Sequence, residues 1–188
     1  MSDGAVVGAD GLARCPWGLS APEYIAYHDE EWGRPVRDDV GIYERLCLEA
    51  FQSGLSWLTI LRKREGFRKA FDGFQPDKVA AYGQADVDRL MGDTAIVRNR
   101  AKIEATIDNA RAALELPGGL AELCWRYADP GAPAPRTLAD VPAGTAGSRA
   151  LAKELKKHGL RFVGPTTAYA LMQACGLVND HLADCHAR

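Results

Sequence analysis

The chain has 188 residues, of which 47% are hydrophobic and 26% are charged, which is ordinary for a soluble globular protein with one well-packed core. Its formal net charge of -2 argues against a broadly basic protein that coats nucleic acid, although local basic patches remain compatible with it. No apolar run approaches the roughly 20 residues of a membrane-spanning helix, and the first residues lack the features of a secretory signal, so we expect a cytoplasmic protein.

Helical patterns dominate the chain after a start rich in small residues. Residues 1–13 are predicted to form a flexible N-terminal tail, and residues 14–188 a single helical domain. Asp38 or Asp39 is the expected N-cap of one apolar-periodic helix, and Ser56 is the expected N-cap of the next. Strand signals are nearly absent. The sequence therefore predicts an all-α fold with many short helices.

A long helical pattern and a loop divide the second half of the chain. The segment "RNRAKIEATIDNARAALEL" (98–116) carries apolar residues at helical spacing and stops at the following "PGG". The Pro/Gly-rich stretch 128–136 is predicted to be a loop. This loop would either separate two lobes or form an excursion on the surface of one domain.

Two glycines frame a short hairpin between two further predicted helices. The first helix ends at Gly159, and the second begins after Gly164, with Pro165 in its first turn. Backbone N–H groups at the start of a helix lack intrahelical partners and favour an anion such as a DNA phosphate. The basic residues beside this hairpin are Lys156, Lys157 and Arg161. The pattern alone is also typical of a plain helix-turn-helix corner.

A histidine and a cysteine stand close together near the C-terminus, at positions 181 and 185. On a helix, residues with this spacing share one face, so His181 and Cys185 could hold one metal ion. A closed tetrahedral zinc site needs two more ligands, for which Cys15 and His28 are candidates, and His186 competes. The alternative is that the histidines are satisfied polar residues and the cysteines are buried thiols.

The odd number of cysteines, five in a chain of this length, does not suit a disulfide framework. Three of the five stand within helical apolar patterns and are predicted to pack in the core: Cys47, Cys124 and Cys175. The other two cysteines, Cys15 and Cys185, remain available for metal binding. Four protein ligands would leave no open position for water, so such a site would stabilise the fold and would not catalyse a reaction.

One carboxylate, Glu49, stands among apolar residues in "RLCLEAF". Either it faces solvent along one wet stripe of its helix, or it lines a pocket where a ligand supplies hydrogen bonds, since an unpaired buried charge is costly. The aromatic residues near it in sequence are Trp17, Tyr24, Tyr27, Trp32 and Trp57. We assign Trp32 to core packing.

Several long motifs resemble one known family. The hairpin is similar to the helix-hairpin-helix of DNA repair glycosylases, and the chain resembles, more narrowly, the 3-methyladenine DNA glycosylase I family. The resemblance covers about residues 14 to 185 and rests on motifs in the same order: "RCPWG", "YIAYHDEEWGRPV", "LCLEAFQSGLSWLTILRKRE", "IVRNRAKIEATIDNA" and "FVGPTTAYALMQACGLVNDH". It implies a helix-hairpin-helix glycosylase fold in which a structural zinc ion joins the two ends of the chain through Cys15, His28, His181 and Cys185.

The resemblance also implies a substrate and a site. Members of the family flip 3-methyladenine out of alkylated double-stranded DNA and release it as the free base. By resemblance, Glu49 recognises the base and is the candidate catalytic residue. The walls of its pocket would be Trp17, Tyr24, Tyr27 and Trp57.

The DNA contacts are predicted around the hairpin and one nearby turn. They include Gly164 and Thr166 at the second helix start, together with the three basic residues named above. Leu55 would fill the gap left by the flipped base, or would be a core leucine. Other helix-hairpin-helix glycosylases place a catalytic Asp after the hairpin. Here Asp180 and Asp184 both flank a predicted zinc ligand, and we interpret Asp180 as a cap or as a partner of the ligands.

Three functions therefore compete. The first is a monomeric, monofunctional DNA glycosylase without lyase activity, since no lysine is marked as a Schiff-base nucleophile; Lys157 suits a phosphate contact better. The second is a zinc-stabilised DNA-binding module without catalytic activity. The third is a zinc hydrolase, which would require an open coordination position.

Overall fold

The computed structural model describes residues 4–188, and nine α-helices account for about half of them. They are α1 (Pro22–Ala26), α2 (Asp39–Gln52), α3 (Trp57–Ala70), α4 (Pro76–Ala80), α5 (Gln84–Gly92), α6 (Arg100–Leu114), α7 (Gly119–Trp125), α8 (Ala146–Lys157) and α9 (Pro165–Ala174). A π-helical turn (Tyr27–Glu31) continues α1, and three 3-10 turns occupy Pro16–Leu19, Asp72–Phe74 and Leu138–Asp140. The prediction of a mainly helical fold is confirmed.

Side-chain caps fix the starts of α2 and α3. The Asp38 carboxylate accepts a hydrogen bond from the Gly41 N–H at 2.7 Å, and Ser56 caps α3 through the Thr59 N–H at 3.2 Å. Asp39, the alternative cap, instead accepts the N–H of Ala121 at 2.7 Å and ties the start of α2 to α7. Both helices thus begin where the sequence predicts.

Part of the segment predicted to be a flexible tail is folded. Strand β1 (Val6–Val7) pairs with the antiparallel β2 (Ala13–Arg14), and Met1–Asp3 lie outside the described residues. The Arg14 side chain is only 3% exposed and pairs with Asp10 at 2.7 Å and Asp29 at 2.8 Å. This ion-pair network attaches the hairpin to the π-helical turn.

Helix α2 lies at the centre of the core. It packs against α3, α6, α7 and α9, and its apolar face is fully buried, at Ile42, Tyr43, Leu46, Cys47 and Phe51. The same continuous core contains residues from both sides of the loop 128–136. A polar side chain on α2 must therefore either pair with a neighbouring group, as Glu44 does with Arg68, or line a cavity, because little of this helix faces solvent.

The loop 128–136 is held against the segment that follows α9. The Asp129 N–H donates to the Leu177 carbonyl at 2.8 Å, and the Ala183 N–H donates to the Pro135 carbonyl at 2.7 Å.

The predicted core thiols Cys47, Cys124 and Cys175 are all fully buried, and each is a free thiol.

The hairpin between α8 and α9 is fixed by one buried amide. Asn109 on α6, 1% exposed, accepts the Arg161 N–H at 2.7 Å and donates to the Arg161 carbonyl at 3.1 Å. Gly159 and Phe162 both adopt positive φ angles, of 88° and 57°. Only glycine takes such angles without strain, so the glycine suits the turn that ends α8.

The last residues fold back onto the first ones. The Leu182 N–H points at the Cys15 sulfur at 3.4 Å, and the His186 N–H donates to the Ala13 carbonyl at 2.8 Å. The segment that holds His181 and Cys185 consists of turns rather than a helix. The predicted closeness of this pair is confirmed, but the helical geometry used to predict it is wrong.

Among the described residues, no helix combines the length and the hydrophobicity needed to cross a membrane.

Candidate functional site

A cavity of about 340 Å³, the aromatic cavity, opens beside the middle of α2. Its walls come from the first 3-10 turn, the π-helical turn and the helices α1, α2, α3 and α9. Its lining residues are Trp17, Ser20, Tyr24, Tyr27, Trp32, Glu49, Gln52, Trp57, Ala170 and Gln173. The structure thus brings together every residue predicted to bind the base.

The aromatic rings pack against one another as a cage. The Trp17 ring meets Tyr24 edge-on, with centroids 5.6 Å apart, and the Tyr27 ring lies 5.5 Å from that of Trp57. These rings come from four separate elements, since Trp57 opens α3 and Tyr27 begins the π-helical turn. Faces of this kind attract flat cations, which the negative charge of the ring faces favours.

The assignment of Trp32 to the core is wrong. Trp32 is partly exposed and lines the aromatic cavity, where its ring meets Trp17 edge-on at 5.0 Å. Its other neighbour is His181, with ring centroids 4.8 Å apart. The extended backbone after the π-helical turn directs this side chain into the cavity wall, which the sequence alone does not reveal.

Glu49 is the one acidic group of the cavity wall and is 7% exposed. Burial raises its pKa to about 8, and no hydrogen bond or opposite charge offsets that burial. The solvent-facing alternative is therefore wrong. A ligand that carries hydrogen-bond donors or positive charge would supply the partner that the protein itself does not give Glu49.

Trp57 contributes a second unsatisfied group. Its indole Nε1–H is the single buried side-chain nitrogen or oxygen without a hydrogen-bond partner in residues 4–188. Buried donors are nearly always paired in folded proteins, so an unpaired donor in a cavity wall indicates a site completed by water or ligand. The cavity thus has one unpaired carboxyl group, Glu49, in its wall, and the ring of Trp57 in the same wall carries a buried N–H without a protein partner.

A second cavity of about 360 Å³, the mouth groove, adjoins the first and shares Glu49, Gln52 and Ala170 with it. Its other walls are the turn after α2 and the first turn of α9: Ser53, Gly54, Leu55, Thr166 and Thr167. Leu55 is 42% exposed, so the alternative of a core leucine is wrong. Glu49 lies at the junction of the two cavities.

The predicted basic contacts lie outside these cavities. Lys156 and Lys157 are exposed on the last turn of α8, and Lys157 is 3.5 Å from Glu154. Arg161 pairs with Asp108 on α6 at 2.6 Å. Gly164 immediately precedes α9, whose first residues line the mouth groove. The structure thus brings Leu55 and Thr166 together, with the three basic side chains on the neighbouring surface.

Asp180 does not line the aromatic cavity. It is 7% exposed and accepts hydrogen bonds from the Tyr169 hydroxyl at 2.5 Å and the Gln173 amide at 2.8 Å. Since Gln173 is part of the cavity wall, Asp180 orients that wall from behind. Asp184 is exposed.

The sequence did not predict that Gln52 and Gln173 line the aromatic cavity, because neutral amides on helices carry no distinctive signal.

Cys15, His28, His181 and Cys185, the Cys/His cluster, are all buried, with ligand atoms within 4.8 Å of one another. The Cys185 sulfur is 3.5 Å from both the His28 Nε2 and the His181 Nδ1, and the Cys15 sulfur is 3.9 Å from the latter. A tetrahedral zinc ion with bonds of about 2.3 Å to sulfur and 2.0–2.1 Å to nitrogen would place sulfur and nitrogen about 3.6 Å apart. The donor set and its spacing fit such an ion.

Hydrogen bonds to the outer ring nitrogens select which nitrogen faces the cluster. Asp29 lies 2.7 Å from the His28 Nδ1, and the Trp32 carbonyl accepts from the His181 Nε2 at 2.9 Å. Burial lowers the pKa of both imidazoles, that of His181 to about 4, which favours neutral rings. The competing residue His186 contacts Asp29 at 3.0 Å and does not belong to the cluster.

Substitution of Glu49 tests its buried state through the pH dependence of stability. Between its ordinary pKa of 4.5 and about 8, the unfolded chain has lost the proton that the folded protein keeps. The folded state binds more protons, so the unfolding free energy falls as pH rises through this window. We expect Glu49→Gln to become more stable than wild type between pH 5 and 8, by at most about 1.4 kcal/mol per pH unit.

Urea unfolding at several pH values measures this difference, and contributions common to both proteins cancel. Glu104→Gln, which neutralises a carboxylate that is 44% exposed, is the matched control. A wild-type to Glu49→Gln difference that stayed constant with pH would contradict a buried, proton-retaining Glu49.

Known proteins resemble this chain over nearly its whole length. DNA-3-methyladenine glycosylase 1 from Escherichia coli is 47% identical over 179 residues, which cover 93% of this chain and 96% of that protein. DNA-3-methyladenine glycosylase from Haemophilus influenzae is 45% identical over 177 residues, with coverage of 92% and 96%. A crystal structure of a 3-methyladenine DNA glycosylase I variant in complex with 3-methyladenine is 36% identical, with a TM-score of 0.88 and coverage of 93% and 96%.

The match to a family model extends through the aromatic cavity, the hairpin and three residues of the Cys/His cluster. That model is described as methyladenine glycosylase and covers residues 17–188, and the chain belongs to this family.

Proposed function

We propose that this chain excises 3-methyladenine from alkylated double-stranded DNA by hydrolysing the N-glycosidic bond and releasing the free base. The relatives carry this activity in their names, and one structural neighbour holds 3-methyladenine itself. The observation that carries the proposal is the unpaired Glu49 carboxyl group inside a cage of aromatic rings. Such a cavity suits a flat, electron-poor ring with hydrogen-bond donors.

The chemistry follows from the charge of the damaged base. An adenine nucleotide methylated at N3 is cationic, so its glycosidic bond is already weak. When that bond breaks, its electron pair passes to the base, which departs neutral. Water supplies the hydroxyl group that the sugar carbon gains and releases its other proton to solvent. The base must first leave the stack, and the mouth groove adjoins the aromatic cavity that would receive it.

Glu49 recognises the base and favours its cationic state. In the empty cavity, burial holds this carboxyl group in its protonated form at neutral pH. A cationic ring with amino donors reverses that preference, because an adjacent positive charge stabilises the carboxylate. Trp57 and Tyr27 supply the flanking faces, with the cation–π attraction expected of desolvated rings.

The competing functions find less support. None of the described residues that line the aromatic cavity is a lysine, which suits glycosidic hydrolysis without a Schiff-base step. Four protein donors in the Cys/His cluster would fill a tetrahedral shell and leave no open position for a zinc hydrolase. A non-catalytic DNA-binding module would need neither an unpaired buried carboxyl group nor a cavity that opens onto a surface groove.

DNA binding is proposed at the surface that contains the mouth groove. The first N–H groups of α9 would face a phosphate, and Leu55 would occupy the space left by the flipped base. Lys156, Lys157 and Arg161 would add contacts to the DNA backbone. The exposed pair between Arg161 and Asp108 contributes little energy, so a phosphate can replace the carboxylate.

We also propose that the Cys/His cluster binds one zinc ion. When bound, the ion supplies four strong bonds between the two ends of the chain and thus stabilises the fold. The cluster is adjacent to the cavity walls in sequence and in space, since His28 follows Tyr27 and the Trp32 carbonyl holds His181.

The Glu49→Gln substitution separates recognition from catalysis. The amide keeps nearly the same shape but loses the charge. Loss of one charged hydrogen bond, about 1.5–3 kcal/mol, should weaken binding of free 3-methyladenine and slow excision, each by roughly ten- to a hundredfold. Calorimetric titration with the free base and single-turnover excision from methylated DNA measure the two effects, with Glu104→Gln as the control. Unchanged base affinity together with abolished excision would make Glu49 the catalyst instead.

The salt dependence of DNA binding tests the basic surface beside the hairpin. Each phosphate contact contributes a slope of about -0.9 to the plot of log affinity against log salt concentration. Lys157→Ala should therefore reduce that slope by about one contact, whereas Lys78→Ala on α4, which is not among the predicted basic contacts, should not. Fluorescence anisotropy across a salt series measures both, and an unchanged slope in Lys157→Ala would place the DNA elsewhere.

Metal analysis tests the zinc proposal. We expect one zinc ion per chain in the wild type and a loss of both the metal and several kcal/mol of unfolding free energy in Cys185→Ala. Cys124→Ala, which also removes a buried thiol, should retain its metal. Wild-type protein purified without metal and insensitive to chelator in urea unfolding would show that the cluster is held by packing alone.

A further inference from the structure

Lys102 is a buried lysine that the proposed chemistry does not use. It lies near the start of α6 and is 7% exposed. Its ammonium group donates to the Phe51 carbonyl at 2.9 Å and to the Ser53 carbonyl at 2.6 Å. It forms no ion pair with any carboxylate of residues 4–188, which is unusual because buried lysines are normally paired with acids.

The two carbonyls that Lys102 binds belong to the end of α2. The last carbonyls of a helix have no intrahelical partner, and a cation there is also favoured by the helix dipole. Beyond Gln52 the chain reverses through Gly54, whose φ of 81° is left-handed, and reaches the Ser56 cap of α3. Lys102 is thus a cap supplied from a different helix.

The segment capped in this way forms one wall of the mouth groove. Gln52, Ser53, Gly54 and Leu55 all line that groove. The tip of the turn is otherwise open, since a side-chain carbon added at Gly54 would meet nothing within 4 Å. Inside the turn, the Leu55 N–H donates to the Gln52 carbonyl at 2.6 Å. Lys102 is therefore the long-range polar attachment of this wall to the body of the protein.

We propose that Lys102 is a positioning residue for the DNA-dependent step, holding the turn 52–56 so that Leu55 and the mouth groove receive the flipped nucleotide. This inference rests on the proposed function. Lys102 touches neither the base nor the aromatic cavity, whose lining residues do not include it. Its loss should therefore impair entry of the nucleotide from DNA and leave recognition of the free base intact.

The test compares Lys102→Met with Lys63→Met. Lys63 on α3 also donates to a backbone carbonyl, that of Thr94, at 2.8 Å, so its substitution removes the same charge and a similar bond elsewhere. We expect Lys102→Met to excise 3-methyladenine from DNA about 10- to 100-fold more slowly in single turnover, since it loses hydrogen bonds to a charged donor. Its affinity for free 3-methyladenine should stay within about twofold of wild type, because Lys102 does not line the aromatic cavity that binds the base. Lys63→Met should match wild type in both measurements.

Amide hydrogen exchange supplies a readout that does not depend on activity. The Leu55 amide should exchange faster in Lys102→Met than in wild type, while amides of α9 stay unchanged. Lys102→Gln, whose shorter amide cannot reach both carbonyls, should show the same pattern to a smaller extent, and it decides the matter if the methionine variant does not fold.

Two outcomes would overturn the inference. One is wild-type excision from DNA by a Lys102 variant, even if its unfolding free energy is lower, because the lysine would then be structural only. The other is an equal loss of free-base affinity and excision, because the lysine would then support the aromatic cavity. Failure of the proposed function is distinct, since wild type itself would then release no 3-methyladenine, whatever the exchange of Leu55.

Discussion

The contact between the two ends of the chain determines the shape of the site. Cys15 and His28 on one side meet His181 and Cys185 on the other, and the segments that carry them also carry cavity walls. Trp32 shows the connection directly, because its carbonyl receives the His181 imidazole while its ring lines the aromatic cavity. Apart from Trp57 on α3, the rings come from short turns and a one-turn helix that are not stable in isolation. They keep their positions because the ends of the chain meet behind them.

A second constraint is the position of a carboxyl group in the central helix. Every apolar neighbour of Glu49 on α2 is buried, so this carboxyl group stands at the border between the core and the aromatic cavity. This arrangement keeps the group ready for a ligand but reduces the stability of the empty protein. Such a conflict between packing and function is expected at binding sites. The rest of α2 compensates with a continuous apolar interface and with caps at both ends, from Asp38 and Lys102.

Much of this arrangement could be predicted from local sequence signals. The caps, the hairpin glycines and the Cys/His set depend on short-range chemistry or on the resemblance to a family, and they appear where expected. The contribution of Trp32 and Gln173 to the cavity could not be predicted, because it depends on backbone geometry after a π-helical turn and on a hydrogen bond to Asp180. Likewise, spacing placed His181 and Cys185 on one helical face, whereas tight turns bring them together. Sequence patterns report periodicity well and irregular backbone poorly.

The separation of the Cys/His cluster along the chain imposes an order on biosynthesis. Cys15 and His181 are 166 positions apart, so the N-terminal half of the cluster leaves the ribosome long before its partners exist. Closing so long a loop constrains the unfolded chain strongly, so a zinc ion bound by this cluster, as proposed above, would stabilise the fold more than one that closed a short loop. Such an ion could therefore order the cavity walls beside it only after Cys185 has been translated.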